Sequence, residues 1–521
     1  MRCGVCVASF IGLGLTIMSG ALLGMYPPIY NHVFENMMKV TPGSYSYGLW
    51  HELPIPMFLK IYLFNVTNAQ EIMDRKPWDE PIVPKLVEMG PYTFSEAHLK
   101  VNEHFEEGTG EKVKFQQVKT WHFMEELSQG SLDDMVTNVD MVALSAADFT
   151  RYHSPLLTGI LNTFLKATNS KIFQTNSVRD LTFDGYLGPI LEAIQNPIFQ
   201  NLPIPYDRFG WFYPRNNSGE YDGYFQMYTG VDTLDHVGQI CEWKNLSTVD
   251  PAVYPGQCGQ LSGSAGEFFP PKRDKTFVDF FSPDLCRTIR FNYKEEAEVH
   301  GISGYRYYLD DELLSNETSL PENSCYNPNP DPTLYLPHGL LNVSTCKFNS
   351  PAYVSFPHFY LADEVLVKQF EPGTMVPDPE KHANYLSLMP DTGVPLEVRI
   401  RMQINGLVRS LENGQSQIDI YEGLEPLYYP LIWFENLTEV DEEIASLLRI
   451  LPKLNAGFLW GPIVGLVIGI VILIASVAVQ MGLTSRVRGR HGSRKSNSSC
   501  QILTVSSPVY PTLDSKPPLK S

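Results

Sequence analysis

The 521-residue sequence lacks the short motifs that mark the common enzyme sites. It contains no G-x-S-x-G elbow, no G-x-x-x-x-G-K-[ST] loop, no G-x-G-x-x-G turn and no H-E-x-x-H zinc helix. Its 12 histidines are scattered, and the adjacent carboxylates at Asp133–Asp134 and Asp310–Glu312 are typical of solvated turns. We therefore expect no catalytic residue, no metal site and no cofactor. An enzyme would need a site assembled only in three dimensions.

Two stretches lack charge altogether. Residues 454–485 contain no charged side chain, and about 20 apolar residues are enough to cross a bilayer as a helix. Basic residues follow at once, which marks the cytosolic side. The first stretch, residues 7–26, is either a signal peptide cleaved near Ala21 or an uncleaved anchor. It is longer than the 7–15 apolar residues of a typical signal peptide, which favours the anchor.

The two spans predict a hairpin topology. Residues 1–6 and 483–521 would be cytosolic, residues 7–26 and 457–482 would cross the membrane, and residues 27–456 would form an outer domain. Glycines four residues apart, at Gly20 and Gly24 and at Gly461, Gly465 and Gly469, allow close helix packing or homo-oligomers. A high glycine content is also common in membrane helices, so this alternative stays open.

Basic residues are scarce in the outer domain. Residues 27–456 contain 31 Lys and Arg against 57 Asp and Glu, a net charge of −26. Nucleic-acid binding needs a basic surface, so we exclude it as a function. Polyanionic ligands could bind only at a local basic patch.

The outer domain contains six N-x-[ST] sequons, at Asn65, Asn216, Asn245, Asn316, Asn342 and Asn436. One sequon can arise by chance, but six in one compartment favour a glycosylated protein of the secretory route. A seventh sequon, at Asn497, falls in the predicted cytosolic tail, where glycosylation does not occur.

The cysteines divide between the same compartments. Five lie in the outer domain, where an oxidising environment predicts two disulfide bonds and one leftover thiol: Cys241, Cys258, Cys286, Cys325 and Cys346. The cytosolic cysteines are Cys3, Cys6 and Cys500. Cys3 and Cys6 have no further metal ligand beside them, so we interpret them as sites of S-palmitoylation next to the first span.

An amphipathic helix is predicted at residues 154–166. Ser154 and Pro155 form an N-cap and first turn, and an apolar stripe follows at helical spacing. The stripe consists of Leu156, Leu157, Ile160, Leu161, Phe164 and Leu165. It either packs inward, as most such stripes do, or forms an exposed ligand face with a basic rim.

Elsewhere the patterns indicate mostly strands. We predict strands at residues 60–67, 112–124, 399–405 and 427–434, a turn at Gly90–Tyr92 and a helix at residues 186–195.

Several blocks of sequence, taken in order, resemble the class B scavenger receptor family over nearly the whole chain except the tail. The blocks are Val87–Phe94 (VEMGPYTF), Phe209–Trp211 (FGW), Glu267–Pro271 (EFFPP), Ser355–Asp363 (SFPHFYLAD), Thr392–Pro395 (TGVP) and Arg401–Asn405 (RMQIN). The first block, together with Ser131–Thr137 (SLDDMVT), is most similar to the insect croquemort-type branch.

The resemblance implies an α+β fold. It consists of a large antiparallel β-barrel-like ectodomain with a lipid tunnel and a membrane-distal helical cap at about residues 139–197, anchored by two transmembrane helices. The stripe matches the cap helices, which favours an exposed, ligand-binding role for Leu157, Ile160, Leu161 and Phe164. The family's ligand-binding lysines lie near this loop, as do Lys166 and Lys171.

The family pairing would join Cys258 to Cys325 and Cys286 to Cys346. Each bond would close a loop of roughly 60–70 residues, worth about 4 kcal/mol in the chain-entropy model. A third family disulfide is missing, because Asn327 stands where many members have cysteine. Cys241 then remains as a buried free thiol.

The resemblance implies a plasma-membrane scavenger receptor. It would bind lipid-bearing or anionic particles, such as lipoproteins, apoptotic cells or microbes, and take them up or pass single lipids through the tunnel. The alternative is a lysosomal or endosomal membrane protein that acts as a cargo receptor or exports lipid. The tail motif Tyr510-x-x-Leu513 matches a clathrin-adaptor sorting signal.

Overall fold

The computed structural model describes residues 2–195, 207–328, 331, 334–413 and 416–490. The described residues fall into two compact units, one within residues 2–29 and 454–490 and the other within residues 30–453. The side chain of Cys3 and all of Asn497, Cys500, Tyr510 and Leu513 lie outside the described residues. The described chain combines helices with a large antiparallel sheet, which confirms the predicted α+β class.

The helices are α1 (Arg2–Met38), α2 (Tyr45–His51), α3 (Ala69–Asp74), α4 (Met141–Arg151), α5 (Pro155–Ala167), α6 (Pro189–Ile194), α7 (Glu364–Lys368), α8 (Pro379–His382), α9 (Glu442–Leu448) and α10 (Ile450–Arg490). The strands are β1 (Met57–Val66), β2 (Leu86–Phe105), β3 (Lys112–Phe123), β4 (Met135–Val139), β5 (Phe173–Ser177), β6 (Phe225–Tyr228), β7 (Ile240–Trp243), β8 (Phe277–Ser282), β9 (Arg287–Val299), β10 (Ile302–Tyr308), β11 (Leu341–Asn342), β12 (Ala352–Ser355), β13 (Tyr385–Leu388), β14 (Pro395–Val408), β15 (Glu412–Asn413), β16 (Ser416–Gln417) and β17 (Leu427–Glu439).

One 13-stranded sheet dominates the larger unit. Its strand order is β7-β6-β3-β2-β1-β17-β14-β13-β10-β9-β8, with β12 and β11 branching from β14. Every pair of neighbouring strands in this sheet is antiparallel. The long central strands β1, β17 and β14 come from opposite ends of the unit, so the sheet joins its N-terminal part to its C-terminal part.

A short segment at residues 263–265 connects the two edges of this sheet. Ser264 donates its backbone N–H to the carbonyl of Asp279 on β8 and accepts from the N–H of Phe281, both at 2.9 Å. On the other side, the carbonyl of Gly263 accepts the N–H of Ile240 on β7 at 2.9 Å. Both edge strands thereby gain partners, and the sheet closes into a nearly complete barrel.

Aromatic side chains supply much of the core. One cluster contains Phe94 and Trp121, a second contains Phe291 and Tyr307, and Phe434 on β17 contacts both. Burying one such ring stabilises the fold by about 1.5–3 kcal/mol. The neighbouring side chains Val398 and Ile400 of β14, like Phe434, remain only half-buried.

The four predicted strands are present as β1, β3, β14 and β17, and the last two extend at least four residues beyond the predicted range. The predicted turn at Gly90–Tyr92 is wrong, because these residues lie inside β2. The pairing of β1 with β2 shifts register between Ile61 and Leu63, so a bulge accommodates the Gly-Pro pair. Gly90 has φ = 124°, and an added Cβ would lie 2.6 Å from the Ile61 carbonyl oxygen.

One predicted helix boundary is also wrong. The helix expected at 186–195 begins only at Pro189, because the backbone of Tyr186 instead pairs with that of Phe209 at 2.9 and 3.1 Å. The first apolar helix contains the span predicted at residues 7–26 and continues through Pro27 and Pro28 to Met38. A proline removes one amide donor from a helix, which long flanking helical segments can tolerate.

The small sheet β4–β5 carries the helices α4 and α5 between its strands. Asn138 at the end of β4 anchors this substructure, since its Nδ2 donates to the carbonyls of Phe64 at 2.8 Å and Leu431 at 3.0 Å. Asp140 then caps α4 through Oδ1, which accepts the N–H groups of Val142 and Ala143. The predicted helical region at 139–197 therefore contains α4, α5 and α6 as far as residue 195, the last described residue before 207.

The structure joins Cys258 to Cys325 and Cys286 to Cys346, the pairing that the resemblance implies. The bonds span sequence separations of 67 and 60 residues. Cys241 on β7 is a free, half-buried thiol, and burial raises its pKa to about 11. It is therefore protonated and a weak nucleophile near neutral pH.

In the smaller unit, the two apolar helices pack through small residues. Both are long and apolar enough to be candidate membrane spans, at Gly4–Met38 and Gly457–Gly482. An added Cβ would lie 2.5 Å from Thr16 Oγ1 at Gly469 and 2.5 Å from Ser19 Oγ at Gly465. By contrast, Gly20, Gly24 and Gly461 have no such atom within 4 Å. Only part of the predicted glycine pattern thus forms the contact, with Gly12 as its unpredicted partner.

Replacing Gly469 with leucine should destabilise this contact by about 1–3 kcal/mol, because overpacking forces neighbouring atoms apart. Thermal inactivation of the detergent-solubilised protein, followed by size-exclusion chromatography, would measure the loss. Gly461→Leu is the matched control, since an added Cβ there meets no atom within 4 Å. Equal thermal stability of the two variants would contradict the helix packing.

Candidate functional site

Helix α5 begins and ends as its sequence predicts. Ser154 Oγ accepts the backbone N–H of Leu157 at 3.3 Å, and Pro155 occupies the first turn, where an amide donor is not needed. At the other end, the Thr168 hydroxyl donates to the carbonyl of Phe164 at 2.9 Å. The helix therefore presents residues 155–167 in one continuous arrangement.

The apolar stripe of α5 faces two ways. Leu165 is completely buried in the main core, whereas Leu156 and Ile160 are 74% and 56% exposed. Between these extremes lie three half-buried side chains: Leu157, Leu161 and Phe164. Leu161 and Phe164 also contact the core. The stripe is thus divided, because its inner edge is core and its outer edge is surface.

The outer edge forms an open groove of about 560 Å³ on a single helix. Its lining residues are Pro155, Leu156, Gly159, Ile160, Thr163, Phe164 and Ala167. Leu156, its most exposed apolar residue, is absent from the predicted ligand residues. Leu156 is the first residue of the predicted apolar stripe, and this position is the signal in the sequence that points to it.

The predicted basic rim is weaker than the sequence indicates. Lys166 forms an ion pair with Asp419, whose other carboxylate oxygen accepts from Asn162 Nδ2 at 2.7 Å. Burial alone would raise the pKa of Asp419, but the hydrogen bonds from Lys166 and Asn162 and the charge of Lys166 together lower the pKa. Asp419 lies about 250 residues away in sequence, so no local pattern could predict this contact.

Lys171 lies in the loop after α5 and is exposed. No residue in the described part of the chain forms an ion pair with it. The candidate site is therefore mainly an apolar helix face with one available cation beside it.

Two histidines, His358 and His382, form a titratable cluster beside the core. The rings of His358 and His382 stack with centroids 4.5 Å apart. His358 Nε2 lies 2.6 Å from Glu88 Oε2, which also accepts from Trp433 Nε1 at 2.6 Å. Burial alone would raise the pKa of Glu88, but its contact with His358 lowers it.

Two further ring nitrogens accept backbone hydrogen bonds. His358 Nδ1 accepts the backbone N–H of Val376 at 3.3 Å, and His382 Nδ1 accepts that of Asp378 at 2.9 Å. These two bonds hold the segment 376–382 against the histidine pair. Burial, assisted by His358, lowers the pKa of His382 to about 4.

The sequons differ in exposure. Asn216 and Asn245 are exposed, and Asn65, Asn342 and Asn436 are half-buried. Asn316 is only 3% exposed, and its Nδ2 donates to the carbonyl of Leu336 at 2.8 Å and to the Tyr335 hydroxyl at 3.3 Å. A glycan is attached through this same nitrogen, so a glycosylated Asn316 could not occupy the observed position.

Comparison with known proteins gives consistent matches along the chain. A model of the CD36 family matches residues 10–480. The protein peste of Drosophila melanogaster is 34% identical over 80% of this chain and 72% of its own length. Lysosome membrane protein 2 of Homo sapiens is 30% identical over 86% of this chain and 89% of its own length. Scavenger receptor class B member 1 of Bos taurus is 28% identical over 83% and 81%, respectively.

The two apolar end helices indicate a two-span membrane protein with a disulfide-bonded antiparallel domain, and the matched relatives support a receptor role. The chain belongs to the CD36 family, the family of the class B scavenger receptors. The resemblance inferred from the sequence motifs is thereby confirmed, and the match to an insect protein agrees with the insect branch.

The His382 cluster predicts a loss of stability in acid. The folded protein holds His382 neutral with a pKa of about 4, whereas the unfolded chain takes up a proton near pH 6.5. Stability is therefore present above pH 6.5 and is lost as the pH falls towards 4, by about 2 kcal/mol. Thermal unfolding at pH 7 and pH 4.5 would measure it. A His382→Asn variant should lose less stability between the two pH values, and an unchanged loss would count against the assignment.

Glycan mapping by mass spectrometry should find Asn316 unoccupied in the folded protein and the exposed Asn245 occupied. The reason is that the Asn316 amide is buried and fully hydrogen-bonded. Asn245→Gln should shift the protein to lower apparent mass, and Asn316→Gln should not. A glycan on Asn316 in correctly folded protein would overturn this prediction.

Proposed function

We propose that this protein is a cell-surface scavenger receptor that binds lipid-bearing or anionic particles and takes them up or transfers their lipids. The observation that carries the proposal is the exposed apolar face of α5 on a member of the CD36 family. Leu156 and Ile160 would make the primary contacts, with Leu157, Leu161 and Phe164 behind them and Lys171 beside them.

The energetics of this face favour lipid over a purely ionic ligand. Two large side chains exposed by 74% and 56% would each gain about 1.5–3 kcal/mol when fully covered. Lys166 contributes less than its sequence position suggests, because its charge is already paired with Asp419. An exposed apolar patch with a cation at its edge suits particles that combine acyl chains with negative charge.

Lipid transfer would use the interior of the barrel. Supporting this proposal, Val398, Ile400 and Phe434 are only half-buried in the second core cluster. A cavity of about 200 Å³ also lies between Ile72, Phe173, Val408 and Tyr429 and the proline-rich loop 81–84. It is smaller than the roughly 300–1,000 Å³ of typical ligand pockets, so passage of a whole lipid would require it to widen.

The topology proposed from the sequence completes this picture. Residues 27–456 would face the outside, both termini would be cytosolic, Cys3 and Cys6 would be palmitoylated, and Tyr510 and Leu513 would bind a clathrin adaptor. Homo-oligomers could form through the spans. A lysosomal cargo receptor or lipid exporter is the second candidate, favoured by the 30% identity with lysosome membrane protein 2.

Ile160→Glu should reduce binding of fluorescent lipoprotein particles to expressing cells at least about tenfold, because a charge replaces an apolar contact worth more than 1.4 kcal/mol. Leu156→Glu should act in the same way. Surface biotinylation would measure the amount displayed, so that binding is expressed per receptor. It also separates the two candidate locations, since a strictly lysosomal protein would not be labelled.

The matched control is Val365→Glu on α7, because Val365 is 52% exposed and lies outside the α5 face. It should bind particles as the unmodified receptor does. Leu165→Glu should fail to reach the surface, since Leu165 is fully buried. Normal particle binding by displayed Ile160→Glu would reject α5 as the ligand face.

A further inference from the structure

A cluster of basic residues lies within the otherwise acidic outer domain. Four cations surround two carboxylates, and we call this group the Arg215 cluster: Lys119, Arg215, Asp222, Lys244, Asp284 and Lys347. Its formal charge is +2, within a domain whose net charge is strongly negative. The cluster lies on different elements from the α5 face.

Arg215 is the centre of the cluster. Its Nη2 lies 3.1 Å from Asp222 Oδ2, and its Nη1 lies 2.9 Å from Asp284 Oδ1. The residue is 8% exposed, and within the described chain its buried Nε has no hydrogen-bond partner. The two carboxylates are therefore committed to the guanidinium, which stands over the ring of Tyr221 at 5.5 Å.

Unlike Arg215, the three lysines lack close hydrogen-bond acceptors for their ammonium groups. Lys119 Nζ is 3.9 Å from Asp222, and Lys347 Nζ is 3.9 Å from Asp284, distances too long for hydrogen bonds. Lys244 Nζ lies over the ring of Trp243 at 4.4 Å. In the part of the chain that the structure describes, none of these three ammonium groups donates a hydrogen bond. Each has three donors available for a ligand.

The cluster is enclosed at one end and open at the other. Arg215 is buried, whereas Lys244 is exposed and the side chains of Asp284 and Lys347 are 36% and 31% accessible. Burial lowers the pKa of Lys347, and it lowers that of Lys244 together with the nearby charge of Lys347. An added negative charge would relieve this mutual repulsion.

The three lysines lie on three separate segments of the chain. Lys119 lies on β3, Lys244 directly follows β7, and Lys347 directly follows Cys346. The disulfide bond between Cys286 and Cys346 keeps the chain around Asp284 next to that around Lys347. Binding would therefore need little rearrangement, which lowers its entropic cost.

We propose that the Arg215 cluster binds a doubly charged oxyanion, either inorganic phosphate or a phosphate monoester, through the ammonium groups of Lys119, Lys244 and Lys347. The ligand charge of −2 would balance the excess of +2. Tetrahedral oxygens would accept from the three lysines, while Asp222 and Asp284 hold Arg215 behind them. The acidic remainder of the domain is screened beyond about 8 Å at physiological ionic strength, so the local cations dominate.

Isothermal titration calorimetry on the full-length protein in detergent would test the site. Inorganic phosphate and glycerol 3-phosphate should each bind saturably at pH 7.5, and chloride at equal ionic strength should not.

Lowering the pH to 5 should weaken glycerol 3-phosphate binding, because the monoester has its second pKa near 6. Inorganic sulfate, which stays doubly charged, should be weakened less. Binding of inorganic phosphate but not of the ester would assign a free anion, and binding of both would assign a phosphate monoester site.

Lys244→Gln and Lys347→Gln should each weaken phosphate binding about tenfold, the value of one charged hydrogen bond. Lys294→Gln is the matched control, because Lys294 is likewise exposed and lies over an aromatic ring, that of Tyr308, at 4.6 Å. Thermal midpoints without phosphate would show that the variants are folded. Absence of saturable phosphate binding to the unmodified protein, or an equal loss in Lys294→Gln, would overturn the proposal.

Discussion

The need to satisfy backbone hydrogen bonds at the edges of a buried sheet organises the larger unit. An open sheet would leave two rows of amide and carbonyl groups without partners. The segment 263–265 removes this problem by pairing with β7 on one side and β8 on the other. Once the sheet is closed, its strands enclose the aromatic core, and the small sheet β4–β5 can attach α4 and α5 through Asn138. The position of the exposed face of α5 therefore depends on closure of the barrel.

The treatment of buried charge separates structural from functional clusters. Arg401 and Glu435, both about 5% exposed, pair with each other at 2.7 and 2.8 Å, as buried ions must. In the His382 cluster, each Nδ1 accepts a backbone amide, and His358 Nε2 lies 2.6 Å from Glu88. The Arg215 cluster differs, since its cations outnumber its carboxylates and three ammonium groups make no hydrogen bond within the described chain. Unsatisfied donors, rather than charge alone, distinguish a binding site from a structural ion pair.

The receptor combines two surfaces of different chemistry. The α5 face offers large apolar side chains whose core-side neighbours fix the helix, so exposure of Leu156 and Ile160 does not compromise the fold. The Arg215 cluster offers positive charge in a domain that otherwise repels anions. Because the two surfaces share no residue, lipid recognition and phosphate binding can be tested and altered separately.

The sequence by itself determined the family, the α+β class, the uncharged helices, α5 with its N-cap and the main strands, because these depend on local periodicity, capping and contiguous motifs. The sequence pattern wrongly predicts a turn at Gly90–Tyr92. In the folded protein, pairing with β1 makes these residues part of a bulged strand. Tertiary structure alone decided that Leu165 is core while Ile160 is surface, since a stripe shows which side chains align but not how deeply the helix sinks. It also paired Lys166 with Asp419 and assembled the Arg215 cluster from β3, β7 and the disulfide-linked loops. Contacts between residues far apart in the sequence leave no local pattern, so only the folded structure reveals them.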